Sequence, residues 1–211
     1  MYLPQHFREE NPEKLQTLLR EYSFATLVSW HDGLPFASHL PLLFEKDSAG
    51  NGKLLGHMAR ANPQWLSFEN KQPVLAIFHG PHAYVSPSWY ATPGVPTWNY
   101  AVVHVYGKPR LIEEKENLWQ LIVRLTDIYE AAQPQPWKPD MPEDRRAKLL
   151  EMIVGFEIEI EQIQGKFKLS QNRSLEDQSR VIEQLRQGGS FDSSPLANLM
   201  ESKLVKRARS T

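Results

Sequence analysis

Phe156-Glu157-Ile158-Glu159-Ile160-Glu161 alternates apolar and charged residues without a break. A period of two puts the apolar side chains on one face and the carboxylates on the other, as in a strand with one wet face. Glu157, Glu159 and Glu161 therefore read as a solvated ladder ahead of any acid–base pair. Outward from this stretch, residues 97–110 keep the same period over a longer run, with Trp98, Tyr100, Val102, His104 and Tyr106 alternating with Asn99, Ala101, Val103 and Val105. Residues 25–30 and 35–44 read as a hairpin around His31-Asp32-Gly33, with Phe36, Ser38, Leu40, Leu42 and Phe44 on one face of the return strand. A turn over 47–52 leads into a strand from Lys53, and residues 74–78 and 83–86 add two more strands. About six or seven mostly hairpin-connected strands predict a mainly β chain built on a small antiparallel barrel, which leaves no exposed sheet edge.

Helices are expected at the periphery. After Asn11, Leu15, Leu18, Leu19 and Tyr22 recur at helical spacing, and residues 113–130 carry a stripe of Leu118, Leu121, Ile122, Leu125 and Ile128. A Pro-rich connection over 134–142 has Trp137 as its expected anchor. Ser174 and Asp177 form a capping box that opens a helix to Leu185, Gly188-Gly189 breaks it, and a last helix runs over 194–206. The expected organisation is a barrel domain over 1–173 with a C-terminal helical extension, 174–211, packed on the same domain.

Composition narrows the function. A chain of 211 residues that is 41% hydrophobic is long and apolar enough to bury a sizeable core. The absence of cysteine excludes disulfides, thiolate metal sites and a cysteine nucleophile. No apolar run approaches a bilayer span, and residues 1–7 show neither the basic nor the apolar region of a secretory signal. A cytoplasmic protein without a membrane partner is expected. Lys and Arg number 24 against 25 Asp and Glu, which excludes a surface that is wholly a nucleic-acid footprint and leaves room for a local basic patch.

The segment Leu54-Leu55-Gly56-His57-Met58-Ala59-Arg60-Ala61-Asn62-Pro63-Gln64-Trp65 reads as a strand end, a tight passage with one Arg, and a helix start. Asn62 suits the N-cap and Pro63 the first helical position. Free first-turn N–H groups beside the Arg60 guanidinium would seat a phosphate. An ordinary strand–helix junction with a solvated Arg fits the same residues, and the local sequence leaves both open. Pro41, inside Ser38-His39-Leu40-Pro41-Leu42, belongs at an edge or bulge, where unpaired backbone groups are free for a flat polar ligand. The run from Gly165 to Arg173 ends the alternating strand with Lys166, Lys168, Gln171, Asn172 and Arg173, whose amides and cations suit a polar ring edge or a phosphate as well as they suit a solvated turn. His79-Gly80-Pro81-His82 lacks the converging ligand spacing of a metal site, so no metal is expected. Trp89, Tyr90, Trp98 and Tyr100 flank a Pro/Gly loop and serve either as core or as the wall of an aromatic cofactor. No nucleophile elbow or Ser–His–Asp order is present, and no catalytic residue is assigned. His39, His57 and Tyr100 are the candidates for proton donation.

Taken together, the opening Met1-Tyr2-Leu3-Pro4-Gln5-His6-Phe7, His39-Leu40-Pro41-Leu42, residues 56–63, residues 80–90, Val95-Pro96-Thr97-Trp98-Asn99-Tyr100 and residues 168–173 resemble the FMN-binding negative transcriptional regulator family, the PaiB-like proteins. The resemblance implies a split β-barrel related to the pyridoxamine-phosphate-oxidase-like flavoproteins, a homodimer, and FMN in a groove between subunits. It implies that Ser38, His39, Leu40 and Pro41 face the isoalloxazine and ribityl chain. His57, Met58, Ala59, Arg60 and Asn62 would hold the ribityl phosphate, and Lys168, Gln171 and Asn172 would approach the cofactor from the C-terminal side. The C-terminal Trp/Arg pattern of the wider superfamily is not recognisable in this chain, which argues against pyridoxamine oxidase activity. The implied role is a transcriptional repressor; the alternative is an FMN-dependent oxidoreductase acting on a small reducible substrate. A heme-handling role lacks an obvious axial His. The chain has no helix-turn-helix signature, and its best DNA-facing candidate is the C-terminal helix pair with Lys203, Lys206, Arg207 and Arg209.

Overall fold

The computed structural model describes residues 1–46, 52–70, 72–188 and 193–208, apart from the side chains of 206–208. Most of the turn expected over 47–52, Gly189 and Arg209 lie outside the described residues. The strands are β1 Arg8–Glu9, β2 Phe24–His31, β3 Leu34–Pro41, β4 Leu43–Glu45, β5 Lys53–Ala59, β6 Val74–Val85, β7 Thr97–Ile112 and β8 Ile153–Lys168. The α-helices are α1 Pro12–Glu21, α2 Lys115–Glu130, α3 Glu143–Glu151, α4 Leu175–Gln187 and α5 Ser194–Ala208, with short 3-10 helices at Gln5–Phe7, Pro63–Asn70 and Pro87–Trp89. The strand order is β3-β2-β6-β7-β8-β5-β4, with β1 beside β8. The chain divides into two compact units: Met1–Leu15, His79–Val103 and Gln164–Thr211 form the first, and Gln16–Phe78 and His104–Ile163 the second.

In the second unit, β2 and β3 form the expected hairpin. Asp32 and Gly33 have φ of 50° and 77°, the two positive values that a type I′ turn requires. The return strand stops at Pro41 rather than running to Phe44. Pro41 has no N–H to extend the ladder, and Leu42 leaves it to donate its N–H to the Ser23 carbonyl at 2.9 Å. The break has a topological consequence. β3 stands at one end of the strand order and β4 at the other, yet a single residue joins them, so the two ends lie side by side as in a sheet closing on itself. Gly56 lets them close: a Cβ there would stand 2.7 Å from Leu42 and 2.9 Å from the Phe156 ring. Outside β5, Leu121 and Leu125 of α2 pack on Leu55 with Leu43 and Ile112. Each such buried Leu contributes about 1.5–3 kcal/mol. The stripe of α2 ends early, because Ile128 is exposed. Trp137 is also exposed and does not anchor its connection; only its backbone is held, by Glu130. Residues 143–151, where no element was expected, form α3.

In the first unit, α4 and α5 pack together through Val181, Ile182, Leu185, Leu196, Ala197 and Met200, all buried. Ser174 caps α4 by accepting the Asp177 N–H at 3.1 Å. The Asp177 carboxylate also turns to the 91–92 loop and accepts from the Ala91 N–H at 2.7 Å and the Thr92 hydroxyl at 2.8 Å. Burial alone would raise the Asp177 pKa, but these bonds outweigh it and hold the carboxyl below its ordinary value. Residues 74–85, expected as two strands, are continuous in β6. Its pairing with β2 covers Leu75, Ala76 and Ile77, so Pro81 lies beyond that ladder and interrupts none of its bonds.

Candidate functional site

β5 runs on to Ala59, so His57, Met58 and Ala59 belong to a strand rather than to a loop. Alternation then separates them. Met58 is buried on the face of Leu54 and Gly56, whereas His57 shares its face with Leu55, the side that α2 covers. The Nδ1 atom of His57 is buried and takes no hydrogen bond from the described residues. Burial holds the His57 pKa below the ordinary 6.5, so the ring is neutral at pH 7.

The passage after β5 is fixed at every residue of interest. Arg60 donates its backbone N–H to the Met152 carbonyl at 2.8 Å, Nε to Glu151 O at 2.7 Å and Nη2 to Ile153 O at 2.9 Å. Glu151 ends α3 and Ile153 opens β8, so the Arg60 guanidinium sits at the negative end of that helix and ties it to the strand. The guanidinium is thus not the loose solvated group that the simple junction implies, and its Nη1 end takes no bond from the described residues. Asn62 caps the 3-10 helix as expected, its Oδ1 accepting the Gln64 N–H at 3.0 Å, while its Nδ2 donates to Ser38 Oγ at 2.7 Å. Trp65 Nε1 donates to Arg60 O at 3.0 Å. Gln64, fully buried, extends Nε2 to Leu27 O at 3.0 Å, Ser29 Oγ at 3.2 Å and Phe36 O at 3.2 Å. Asn62 and Gln64 therefore pin the Arg60 loop to the β2–β3 hairpin.

The strip Ser38–Pro41 divides between two faces. Ser38 meets Asn62, and Leu40 is buried toward Gly56. His39 and Pro41 point the other way, and His39 Nδ1 lies 3.1 Å from Thr26 Oγ1 across the hairpin. The second unit thus joins Ser38 to Asn62 and holds Arg60 two residues from Asn62, while His57 and His39 occupy separate faces.

Lys168, Gln171 and Asn172 belong to the first unit. Lys168 Nζ donates to Trp98 O at 2.6 Å and to the Thr97 hydroxyl. Burial first, and then the charge of Lys166, hold its pKa below the ordinary lysine value. Gln171 closes a local turn around Ser170 (φ 63°), accepting the Leu169 N–H at 2.6 Å and donating to Phe167 O, whereas Asn172 is exposed. Of the aromatics flanking the Pro/Gly loop, Tyr90 is buried with Arg173 stacked 4.4 Å from its ring centre, and Trp98 is 53% exposed. Lys203, a candidate DNA contact, sits 3.1 Å from the Glu9 carboxylate and over the Phe167 ring, so its charge already has partners within the chain. The side chains of Lys206 and Arg207 lie outside the described set. Among the described residues, no helix is long and apolar enough to cross a membrane, and no three metal-ligating side chains of His, Asp or Glu converge.

A protein family described as "Putative FMN-binding domain" matches residues 1–162. The chain belongs to that family. Among curated relatives, "Protease synthase and sporulation protein PAI 2" of Bacillus subtilis is 43% identical over 213 residues, covering 98% of this chain and 100% of that one. An uncharacterized protein of Emericella nidulans is 30% identical over 244 residues, covering 96% and 97%. Among structures, the flavocytochrome Anf3 of Azotobacter vinelandii superposes with a TM-score of 0.61 at 15% identity, over 76% of this chain and 69% of that one. An FAD- and heme-binding protein of Mycobacterium smegmatis gives 0.59 at 16% identity, over 76% and 73%. At these identities the likeness is one of fold, and the fold is the mainly antiparallel split barrel with peripheral helices.

Sequence reasoning missed Gln64 as the residue that fixes the Arg60 loop. Its only signal is a polar residue directly after the Asn62-Pro63 helix start, which reads equally well as solvent-facing.

Proposed function

We propose that this chain binds FMN as a homodimer and acts as a negative transcriptional regulator of the PaiB-like type. The observation that carries the proposal is the pinned loop of the second unit. There an immobilised Arg60 with one free guanidinium end stands two residues before the cap of a helix. Phosphate recognition needs such a preorganised donor set, because loose side chains lose affinity to ordering. Arg60 and Asn62 would hold the ribityl phosphate, with Ser38 bridging to β3. When bound, FMN supplies a ring that accepts and returns electrons. The protein's part is to fix its tail and to keep water from its walls.

The dimer reading is supported by the outer face of the hairpin. Phe24 and Trp30 are 67% and 63% exposed there, opposite Pro41 and Pro35, with Val28 and Ala37 between them. The polar Thr26–His39 pair separates Phe24 and Pro41 from Val28, Trp30, Pro35 and Ala37, and this last group is an apolar patch that suits a second copy. A second reading, an FMN-dependent oxidoreductase, is favoured by His57, whose buried imidazole is neutral at pH 7 and so in the form that accepts a proton. We place the protein in the cytoplasm on either reading.

The absorption spectrum of the purified protein tests the cofactor, with flavin bands expected. A colourless protein that stays colourless after soaking in excess FMN overturns the reading. Sedimentation of the yellow protein should give a dimer. Turnover of NAD(P)H by the loaded protein would favour the oxidoreductase, and salt-sensitive binding to operator DNA the regulator.

A further inference from the structure

The first unit carries a sheet face with a different chemistry. Trp98 of β7 lies 6.4 Å from the His82 ring and 6.1 Å from the Tyr84 ring of β6. Beside it, Lys166 of β8 stands 5.4 Å from the centre of Tyr100. A hollow of about 400 Å³ opens between Trp98, Tyr100 and His82, and its walls are mostly apolar. Trp98 and Tyr84 are 53% and 44% exposed, far more than aromatics of a packed face.

Two further features say what would fill it. Lys166 is only 9% exposed, its Nζ bonded to Tyr2 O at 3.1 Å, and neither it nor Lys168 has a carboxylate partner among the described residues. Two neighbouring, partly desolvated cations without a counter-charge are unfavourable, and an anion would offset them. His82 Nδ1 lies 3.2 Å from the Gly80 carbonyl. A carbonyl only accepts, so Nδ1 is the donor of that bond and the Nε2 edge of the ring is left to meet a ligand.

We propose that this face is a binding site for a planar aromatic carboxylate. Its ring would lie on Trp98, its carboxylate toward Lys166 and Lys168, and a ring hydroxyl would donate to His82 Nε2. A neutral ring would leave the lysines without a counter-charge, and an aliphatic anion would leave Trp98 and Tyr84 wet. The site does not use the phosphate seat at Arg60 and Asn62, although it shares Lys168 with the residues that the resemblance assigns to the cofactor.

The probe is 4-hydroxybenzoate, titrated calorimetrically into the FMN-saturated protein, or into the flavin-free protein if none binds. Two controls are 4-hydroxybenzyl alcohol, which lacks the charge, and cyclohexanecarboxylate, which lacks the aromatic ring. One site per chain is expected, at least roughly tenfold tighter for 4-hydroxybenzoate than for the alcohol, the scale of a lost charge-assisted hydrogen bond. Cyclohexanecarboxylate should bind several-fold more weakly, the scale of an aromatic pair. Lys166→Met should weaken the probe about tenfold and Trp98→Leu several-fold, with unchanged thermal melts. Equal binding of all three compounds overturns the proposal. So does displacement of FMN by the probe, which would make the hollow part of the flavin site. Absent binding together with a dimer that Trp98→Ala dissociates would make the face a subunit contact and overturn it as well. A colourless protein that still binds the probe contradicts the flavin reading alone.

Discussion

Replacing Asn62 separates what holds the fold from what would hold a phosphate. Asn62→Ala removes the cap on Gln64 N–H and the donation to Ser38 Oγ. A lost N-cap costs about 1 kcal/mol and a lost half-buried hydrogen bond about 1 more, so unfolding free energy should fall by about 2 kcal/mol. For a chain of this size that lowers the melting temperature by about 4–8 °C. Asn62→Asp should behave differently. The carboxylate still caps Gln64, and the Ser38 hydroxyl can rotate to donate to it, so stability should stay within about 0.5 kcal/mol. A negative charge about 5 Å from a phosphate charge, at the effective dielectric of a protein surface, is repelled by about 3 kcal/mol. FMN affinity should therefore drop roughly 100-fold while riboflavin affinity stays unchanged. Quenching of flavin fluorescence measures both ligands and a thermal melt measures the fold. If Asn62→Asp binds FMN like the parent, or loses FMN and riboflavin equally, the phosphate is not seated at this loop.

The same reasoning extends to three neighbours. Arg60→Ala should weaken FMN by about 1.5–3 kcal/mol in the same fluorescence titration, and should also lower stability by about 1 kcal/mol because the carbonyls of Glu151 and Ile153 lose their donor; a stability loss with intact FMN affinity would reduce it to a helix cap. Gln64→Ala leaves Leu27 O, Phe36 O and Ser29 Oγ without their shared donor, and its urea midpoint should report a loss of about 2–4 kcal/mol; a loss under about 1 kcal/mol would mean water replaces it readily. Acid should act in two windows. His57, whose folded pKa is depressed, binds its proton more readily when unfolded, so its contribution is full above 6.5 and is lost as pH falls below it. Burial would raise the Glu9 pKa, but Lys203, the Asn11 N–H and Lys14 together hold it below 4.5, so its stabilising effect is lost only as pH drops beneath that value. Urea midpoints against pH should lose the upper limb in His57→Asn and the lower one in Glu9→Gln; identical profiles would contradict both assignments.

Much of the fold is legible in the sequence because it rests on local rules. The β2–β3 turn follows from Asp-Gly, β7 and β8 from a period of two, and α4 from the Ser174 cap. The failures share a cause in non-local structure. Residues 34–45 alternate like one strand broken only at Pro41, and nothing local says that the chain restarts after Leu42 as β4, at the far end of the strand order. The Gly80-Pro81 pair reads as a break, yet β6 has left its β2 partner by then and carries straight through. The site shows the same division. Asn62 as a cap is written in the Asn-Pro pair, but the carbonyls that hold Arg60 belong to residues 151 and 153, about 90 positions away. Sequence also cannot separate His57 from Met58, because which strand face is covered depends on where α2 lands.

The most direct test is a crystal structure of the protein grown with FMN. The account predicts phosphate oxygens within hydrogen-bond distance of Arg60 Nη1 and of the backbone N–H groups that open the 3-10 helix, in a chain whose Arg60 still holds the residue 151 and 153 carbonyls. A phosphate seated away from this loop, with Arg60 and Asn62 untouched, would contradict it.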